Sequence, residues 1–312
     1  MRKEYQSGGR LRWVDLHNPT RDEIAQACAQ YHLDIPAREQ LEEIEFSSRL
    51  QYEDGVFTIS VPVTPHTKDA SPDQTTPLGF VLTPDLLVTI RFTDLPVWDS
   101  IATRVMRRER SAADIFMVFI EAMIDASADR LEELRAQALI LSRRIFHKDT
   151  QGWRKHKIAK VSRQLRDTLV EIGDMGERVS HTRDTLLVLQ RAAPFISDLG
   201  KDWLGPDVTT RLKTAMADVQ SLNDYEVHLT DKLQFLLDAA LGFINTQQND
   251  LFKVMTIWSV AGIPPVLLAG IWGMNFKLMP ELNWHYGYPI AIASMVIATI
   301  VPLAWFKHRG WW

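Results

Sequence analysis

Cysteine is nearly absent: Cys28 stands alone, so no internal disulfide can form and no Cys-rich zinc site can be assembled. A reducing compartment fits that usage. The motifs of common catalytic sites are missing too, with no P-loop, GxGxxG, HExxH, CxxC or GxSxG, and the nine histidines form no ligand pair at helical spacing. An enzyme is not expected. Charge of one sign is also lacking, since 35 Lys and Arg against 39 Asp and Glu leave a formal charge of -4, which argues against a nucleic-acid partner. The opening MRKEYQSGGR leads into no apolar run and is not read as a signal peptide. With 46% apolar and 24% charged residues and a mean hydropathy of -0.12, the averages match a soluble protein of one or two domains.

Those averages conceal two stretches from which charge is missing altogether. Val254 to Phe276 and Tyr286 to Phe306 hold no Asp, Glu, Lys or Arg. Each is long enough, as a helix of roughly 30 to 35 Å, to cross a bilayer core of about 30 Å. Tryptophan follows the same division: Trp258, Trp272, Trp284, Trp305, Trp311 and Trp312, six of the ten, lie in this region. Trp272 and Trp284 would mark one interface and Trp305, Trp311 and Trp312 the other. Lys253 precedes the first span and Lys307, His308 and Arg309 follow the second, so the outer ends are expected in the cytoplasm, with the Gly273 to His285 connection outside. The expectation is a multi-pass protein of a bacterial-type cytoplasmic (inner) membrane, both termini cytoplasmic and lipid a partner.

The part before the spans changes character midway. Arg12 to Leu16, Val56 to Val63, Leu78 to Leu82 and Leu86 to Phe92 are short β-branched or aromatic runs bounded by turn residues, which predicts strands. Thr20 with Glu23 forms a possible capping box, and Pro36 is placed to open a second helix containing Leu41 and Ile44. Thr64 to Pro77 reads as an exposed hairpin loop. From Pro96 onward strands give way to long helical patterns over Ile115 to Phe146 and Trp153 to Ala193, with a turn at Gly152 and an end at Pro194 and Gly205-Pro206. No proline then occurs until Pro264, and one helical pattern runs from about Asp207 to Trp272, roughly 100 Å at 1.5 Å per residue. The expected division is 1–95, a cytoplasmic α/β sheet part; 96–250, a cytoplasmic long-helix part; and 251–312, a membrane hairpin with spans about 254–274 and 286–306.

A heptad count along the last helix collects Asp224, Asp231, Asp238, Asn245, Phe252, Ser259, Val266 and Gly273, with Asn249, Thr256, Ile263 and Gly270 as companions. One face thus carries carboxylates, then amides, then small and apolar groups. Carboxylates at successive buried heptad positions would cost several kcal/mol each unless solvated or paired, so the stripe is expected to face water. If identical helices surround an axis, that face becomes a channel wall that concentrates cations at its acidic end. Pro264-Pro265 would bend or loosen the span and free backbone carbonyls.

At the outer end of the first span stands GMNFKLMPELNWHYGYP. With Gly242-Phe243-Ile244-Asn245, Asn249, the WVDL strand and the basic tail, it resembles the CorA family of divalent-cation channels and transporters. The resemblance covers the whole chain and is strongest in the last 75 residues. It implies an α+β/α membrane protein: a homopentamer with an N-terminal cytoplasmic α/β domain, long helices forming a funnel, and two C-terminal transmembrane helices, the first lining the pore. Gly273, Met274 and Asn275 inherit the selectivity ring, in which Asn275 amide and Gly273 carbonyl oxygens hold a hydrated Mg²⁺ by its water shell. Glu281 in the outer loop adds attraction, Asn249 is an ion site at the cytoplasmic side, and Phe252, Met255, Ile263 and Val266 form the hydrophobic constriction. The implied cargo is Mg²⁺, with Co²⁺ or Ni²⁺ as further ions and a regulatory role for Mg²⁺ as a further implication of the resemblance. A ZntB-like zinc transporter, Zn²⁺ coupled to protons, is the competing reading.

Two departures from the family pattern stand out. Val266 occupies a pore position where members commonly carry Thr. The segment holding Arg143, Arg144, Lys148, Arg154, Lys155, Lys157, Lys160, Arg163 and Arg166 is basic where family helices are acidic, which predicts a solvated or lipid-facing surface. No intersubunit sensor site is assigned.

Overall fold

A computed structural model describes residues 1–65, 75–95, 97–147, 158–274 and 284–311. The chain divides into two compact units, Met1–Leu237 and Asp238–Trp312.

The first unit begins with a six-stranded sheet: β1 (Arg2–Ser7), β2 (Arg10–His17), β3 (Leu50–Glu53), β4 (Val56–Val63), β5 (Thr76–Leu82) and β6 (Leu87–Arg91). Its strand order is β1-β2-β6-β5-β4-β3, with β2 and β6 parallel and every other pair antiparallel. The four expected strands are present. The two edge strands, β1 and β3, come in addition, each closed by a two-residue turn at positive φ: Gly8-Gly9 (60° and 76°) and Asp54-Gly55 (50° and 82°). Such φ values match the right-handed strand twist and favour Gly and Asp.

Alternation along the strands gives the sheet two buried faces. On one, Val14, Leu16, Val81, Val88 and Ile90 pack with Ala27 of α1 (Arg21–Tyr31) and Leu41 of α2 (Arg38–Leu41). Gly79 is required there, because a Cβ would come 2.9 Å from Leu41 Cδ1. α1 opens on the expected capping box, with Glu23 N–H donating to Thr20 Oγ1 at 3.2 Å and Thr20 N–H to Glu23 Oε2 at 3.0 Å. The helix expected after Pro36 is short. It stops at Leu41, and Ile44 lies outside it, 83% exposed, so no apolar face remains to extend it.

The opposite face is aromatic and meets long helices. Trp13 packs edge-on to Phe119, Phe80 to Phe116 and Phe57 to Phe195, with ring centroids 5.2, 5.3 and 5.8 Å apart. After α3 (Phe46–Arg49) and α4 (Val97–Met106), these rings come from α5 (Ala112–His147) and α6 (Ile158–Leu199). Buried Leu131, Leu134, Ala138, Leu141 and Ile145 on α5 keep the three- and four-residue spacing expected of a packed helix. Pro194 does not end α6: the helix runs five residues on to Leu199, the lost N–H being outweighed by Phe195 against Phe57 and by buried Ile196. The turn expected at Gly152, and loop residues 66–74, lie outside the described residues.

α7 (Pro206–Trp272) contributes to both units and starts on Pro206, where a missing N–H costs nothing. Its prolines at 264 and 265 sit within the continuous helix. The second unit adds α8 (Gly287–His308). Both helices contain an 18-residue stretch of length and hydropathy sufficient to cross a membrane. Only 6% and 11% of those stretches are buried, unlike the core helices of the first unit.

Candidate functional site

In the first unit, α7 buries Leu229, Leu233 and Leu236. At about 100° per residue, Asp224 and Asp231 fall on the opposite side of the helix, and both are exposed. One carboxylate does lie on the buried side: Glu226, 3% exposed, accepts from the Thr230 hydroxyl at 2.8 Å and lies 4.0 Å from Arg183. Contrast between this partnered group and the exposed aspartates agrees with the cost of burying an unpaired charge.

In the second unit, Ala240, Ile257 and Ala261 are the buried positions of α7. Asp238, Asn245, Asn249, Thr256, Ser259 and Gly270 are all exposed. So are Phe252 and Met255 (64% each), Ile263 (63%) and Val266 (72%), large apolar groups left uncovered on the side away from α8. Lys253 pairs with Asp250 at 3.0 Å, keeping both charges off that face. The Thr256 hydroxyl donates to the Phe252 carbonyl at 2.8 Å, which returns a polar side chain to its own helix.

The helix closes at the Gly-Met pair. Gly273 N–H donates to the Ala269 carbonyl at 3.0 Å, while Met274 N–H turns to Ile271, 3.2 Å, instead of Gly270. A Cβ on residue 273 would come 3.1 Å from the Ala269 oxygen and 3.7 Å from the Gly270 oxygen. Glycine therefore keeps a side chain off the Ala269 and Gly270 carbonyls at the end of α7. Asn275 and Glu281 lie outside the described residues. Among the described residues no three His, Cys, Asp or Glu side chains converge as a metal site.

Sequence patterning does not reveal a charged cleft of about 300 Å³ between α4, α5 and the first turns of α7, lined by Arg104, Glu121, Asp125, Arg211 and Asp218. Arg211 Nε donates to Glu121 at 2.8 Å and Nη1 lies 3.6 Å from Asp114. The bond to Glu121 raises the Arg211 pKa above its ordinary value, with burial opposing. These partners are 90 and 97 positions apart, too far for any local pattern to join them. Of the basic segment, Arg143, Arg144, Arg163 and Arg166 are exposed, and Arg144 pairs with Glu171 at 2.6 Å, as a solvated surface would have it. Lys148, Arg154, Lys155 and Lys157 lie outside the described residues, and of Lys160 only its place in α6 is described.

Comparison with known proteins gives concordant matches. The family model described as CorA-like Mg²⁺ transporter protein matches residues 8–308. The magnesium transport protein CorA of Salmonella typhimurium (strain LT2) is 32% identical over 303 residues, 96% of this chain and 91% of that one. Among solved structures, the CorA magnesium transporter of Methanocaldococcus jannaschii superposes with a TM-score of 0.71 at 17% identity, over 96% of this chain and 91% of that chain. The ZntB cytoplasmic domain of Vibrio parahaemolyticus reaches a TM-score of 0.51 at 14% identity, over 75% of this chain and 88% of that chain. At such identities the two structural likenesses speak to fold alone.

Proposed function

Because the chain belongs to the family of CorA-like Mg²⁺ transporter proteins, and is thus a membrane transporter of divalent cations and not an enzyme, we propose that it conducts Mg²⁺ through a homopentameric pore. In this reading residues 1–95 and 96–250 are cytoplasmic, the long helices form a funnel, α7 lines the pore, and both chain ends stay inside. The observation that carries it is the exposed face of α7: acidic, then amide, then apolar, on the side away from that helix's own buried residues.

Mechanistically, Asp224, Asp231 and Asp238 raise the local cation concentration, and Asn245 and Asn249 accept hydrogen bonds from the ion's water shell. Phe252, Met255, Ile263 and Val266 form a constriction that closes by dewetting. Gly273, Met274 and Asn275 make the outer ring, with Glu281 attracting ions to it. Mg²⁺ gives up water reluctantly, so oxygen and amide dipoles that bind its shell select it without a carboxylate cage.

Asn275→Ala in proteoliposomes is expected to reduce Mg²⁺ influx at least tenfold while the oligomer, followed by size-exclusion chromatography, stays intact; parental influx would overturn the ring assignment. Cargo is tested separately by offering Mg²⁺, Co²⁺, Ni²⁺ and Zn²⁺ with and without a pH gradient. Mg²⁺ uptake that ignores the gradient is expected. Zn²⁺ uptake that collapses with the gradient would favour the ZntB-like reading, for which the fold likeness of the cytoplasmic domain is the support.

A further inference from the structure

Pro264 and Pro265 stand side by side within α7. A helical carbonyl at residue i normally accepts from the N–H at i+4, with i+3 and i+5 as the alternatives. For Val260 the i+4 and i+5 donors are the two prolines, which have no N–H, so only the strained i+3 contact from Ile263 remains. For Ala261 the i+3 and i+4 donors are lost, and only Val266 at i+5 remains. Two consecutive carbonyl oxygens thus lose their i+4 donors within a stretch of membrane-span length, where a backbone acceptor must find another partner or face water.

The two oxygens belong to residues on different sides of the helix. Ala261 is 5% exposed and lines an apolar groove of about 360 Å³ between α7 and α8 together with Pro265, Thr299 and Leu303. The Thr299 hydroxyl there already donates to its own helix, at Met295, 2.9 Å. Val260 is 42% exposed and lies about 40° from Thr256 and about 60° from Ile263, at the flank of the pore-facing stripe.

That is where the stripe has no side-chain acceptor. Between Ser259 and Gly273, about 21 Å of helix, its residues are Ile263, Val266 and Gly270. A hydrated divalent cation presents water O–H donors on all sides, and an apolar wall of that length leaves them unpaired. We infer that Pro264 is a positioning residue for conduction: by withholding an N–H it keeps the Val260 carbonyl free to accept from the ion's water shell where no side chain can. This rests on the pore reading above. Pro265 has the same chemistry but releases Ala261 toward α8, and so serves as an internal control.

The test uses the full chain in proteoliposomes with a Mg²⁺-sensitive dye inside, comparing the parent, Pro264→Ala, Pro265→Ala and the double variant Pro264→Ala/Val266→Thr. Expected results are an influx at least fivefold lower for Pro264→Ala, within twofold of the parent for Pro265→Ala, and recovery to at least half of parental for the double variant. Recovery is the readout that a purely structural proline would not produce, because Val266→Thr adds an acceptor without altering residue 264. Parental influx in Pro264→Ala, equal losses in the two single variants, or no recovery each overturns the inference. Should Pro264→Ala fail to assemble, Pro264→Gly restores the same N–H and is judged by the same fivefold loss. A parent without Mg²⁺ influx would remove the pore reading and this inference together, whereas influx in the parent with no effect of residue 264 removes this inference alone.

Discussion

Asp15 has no exposed surface and carries a carboxylate in the middle of the sheet. It is tolerated because four side-chain donors reach it: Thr89 Oγ1 at 3.1 Å, Arg91 Nε at 3.2 Å and Nη2 at 3.1 Å, and Trp98 Nε1 at 3.0 Å. Arg91 also lies over the Trp98 ring, 4.6 Å from its centroid, which ties α4 to the sheet. Arg91→Ala would leave the buried carboxylate with two neutral donors. The expected cost is about 3–5 kcal/mol, the scale for removing one partner of a buried ion pair. Chemical denaturation of the detergent-solubilised protein measures it, and a loss below about 1 kcal/mol would mean that water reaches Asp15. The WVDL strand is readable from its residues, but the partner is not: Arg91 lies 76 positions away, and only strand pairing brings it near.

Among elements, α1 is the best specified. The reciprocal Thr20 and Glu23 bonds satisfy two orphan N–H groups, and Thr20→Ala is expected to cost about 1 kcal/mol. The Thr20 N–H holds the Glu23 carboxyl below its ordinary pKa, with burial opposing. A carboxylate depressed in the folded state stabilises above its unfolded pKa and loses that contribution as pH falls through the folded value. Glu23→Gln should therefore melt lower than the parent at neutral pH and converge with it in acid, once the Glu23 carboxyl is protonated in the folded state. A gap that persists in acid would mean that the charge of Glu23 does not act there. Other elements show what local patterns miss. β1 and β3 are short edge strands without a clear apolar run, although the Gly8-Gly9 and Asp54-Gly55 turns were available signals. Pro194 reads locally as a stop, and contacts from Phe57 override it.

At the scale of the whole molecule, the membrane-length stretches of α7 and α8 are only 6% and 11% buried, so most of their apolar surface is open. The proposed pore uses Asp224, Asp231 and Asp238 collectively, as a field and not as individual ligands. Replacing all three by Asn should lower Mg²⁺ influx several-fold at low ionic strength and much less at high salt, since the Debye length falls from about 30 Å at 0.01 M to about 10 Å at 0.1 M. Proteoliposome influx at both salt concentrations checks this. A loss independent of salt would assign the aspartates to packing or direct coordination instead.

Membrane spans, the α/β to all-helical succession, the capping box and the stripe of α7 are legible from residue order, because each depends on neighbours within a few turns of chain: charge-free length, 2.0- or 3.6-residue periodicity, or a three-residue reach. Family membership is equally legible, through Gly273-Met274 and the residues around it. The burial of Asp15 against Arg91, the joining of Arg211 to Glu121, the passage of α6 through Pro194 and the packing of Ala261 against α8 are not. Each depends on which surface meets which at large sequence separation, and that choice is made by packing.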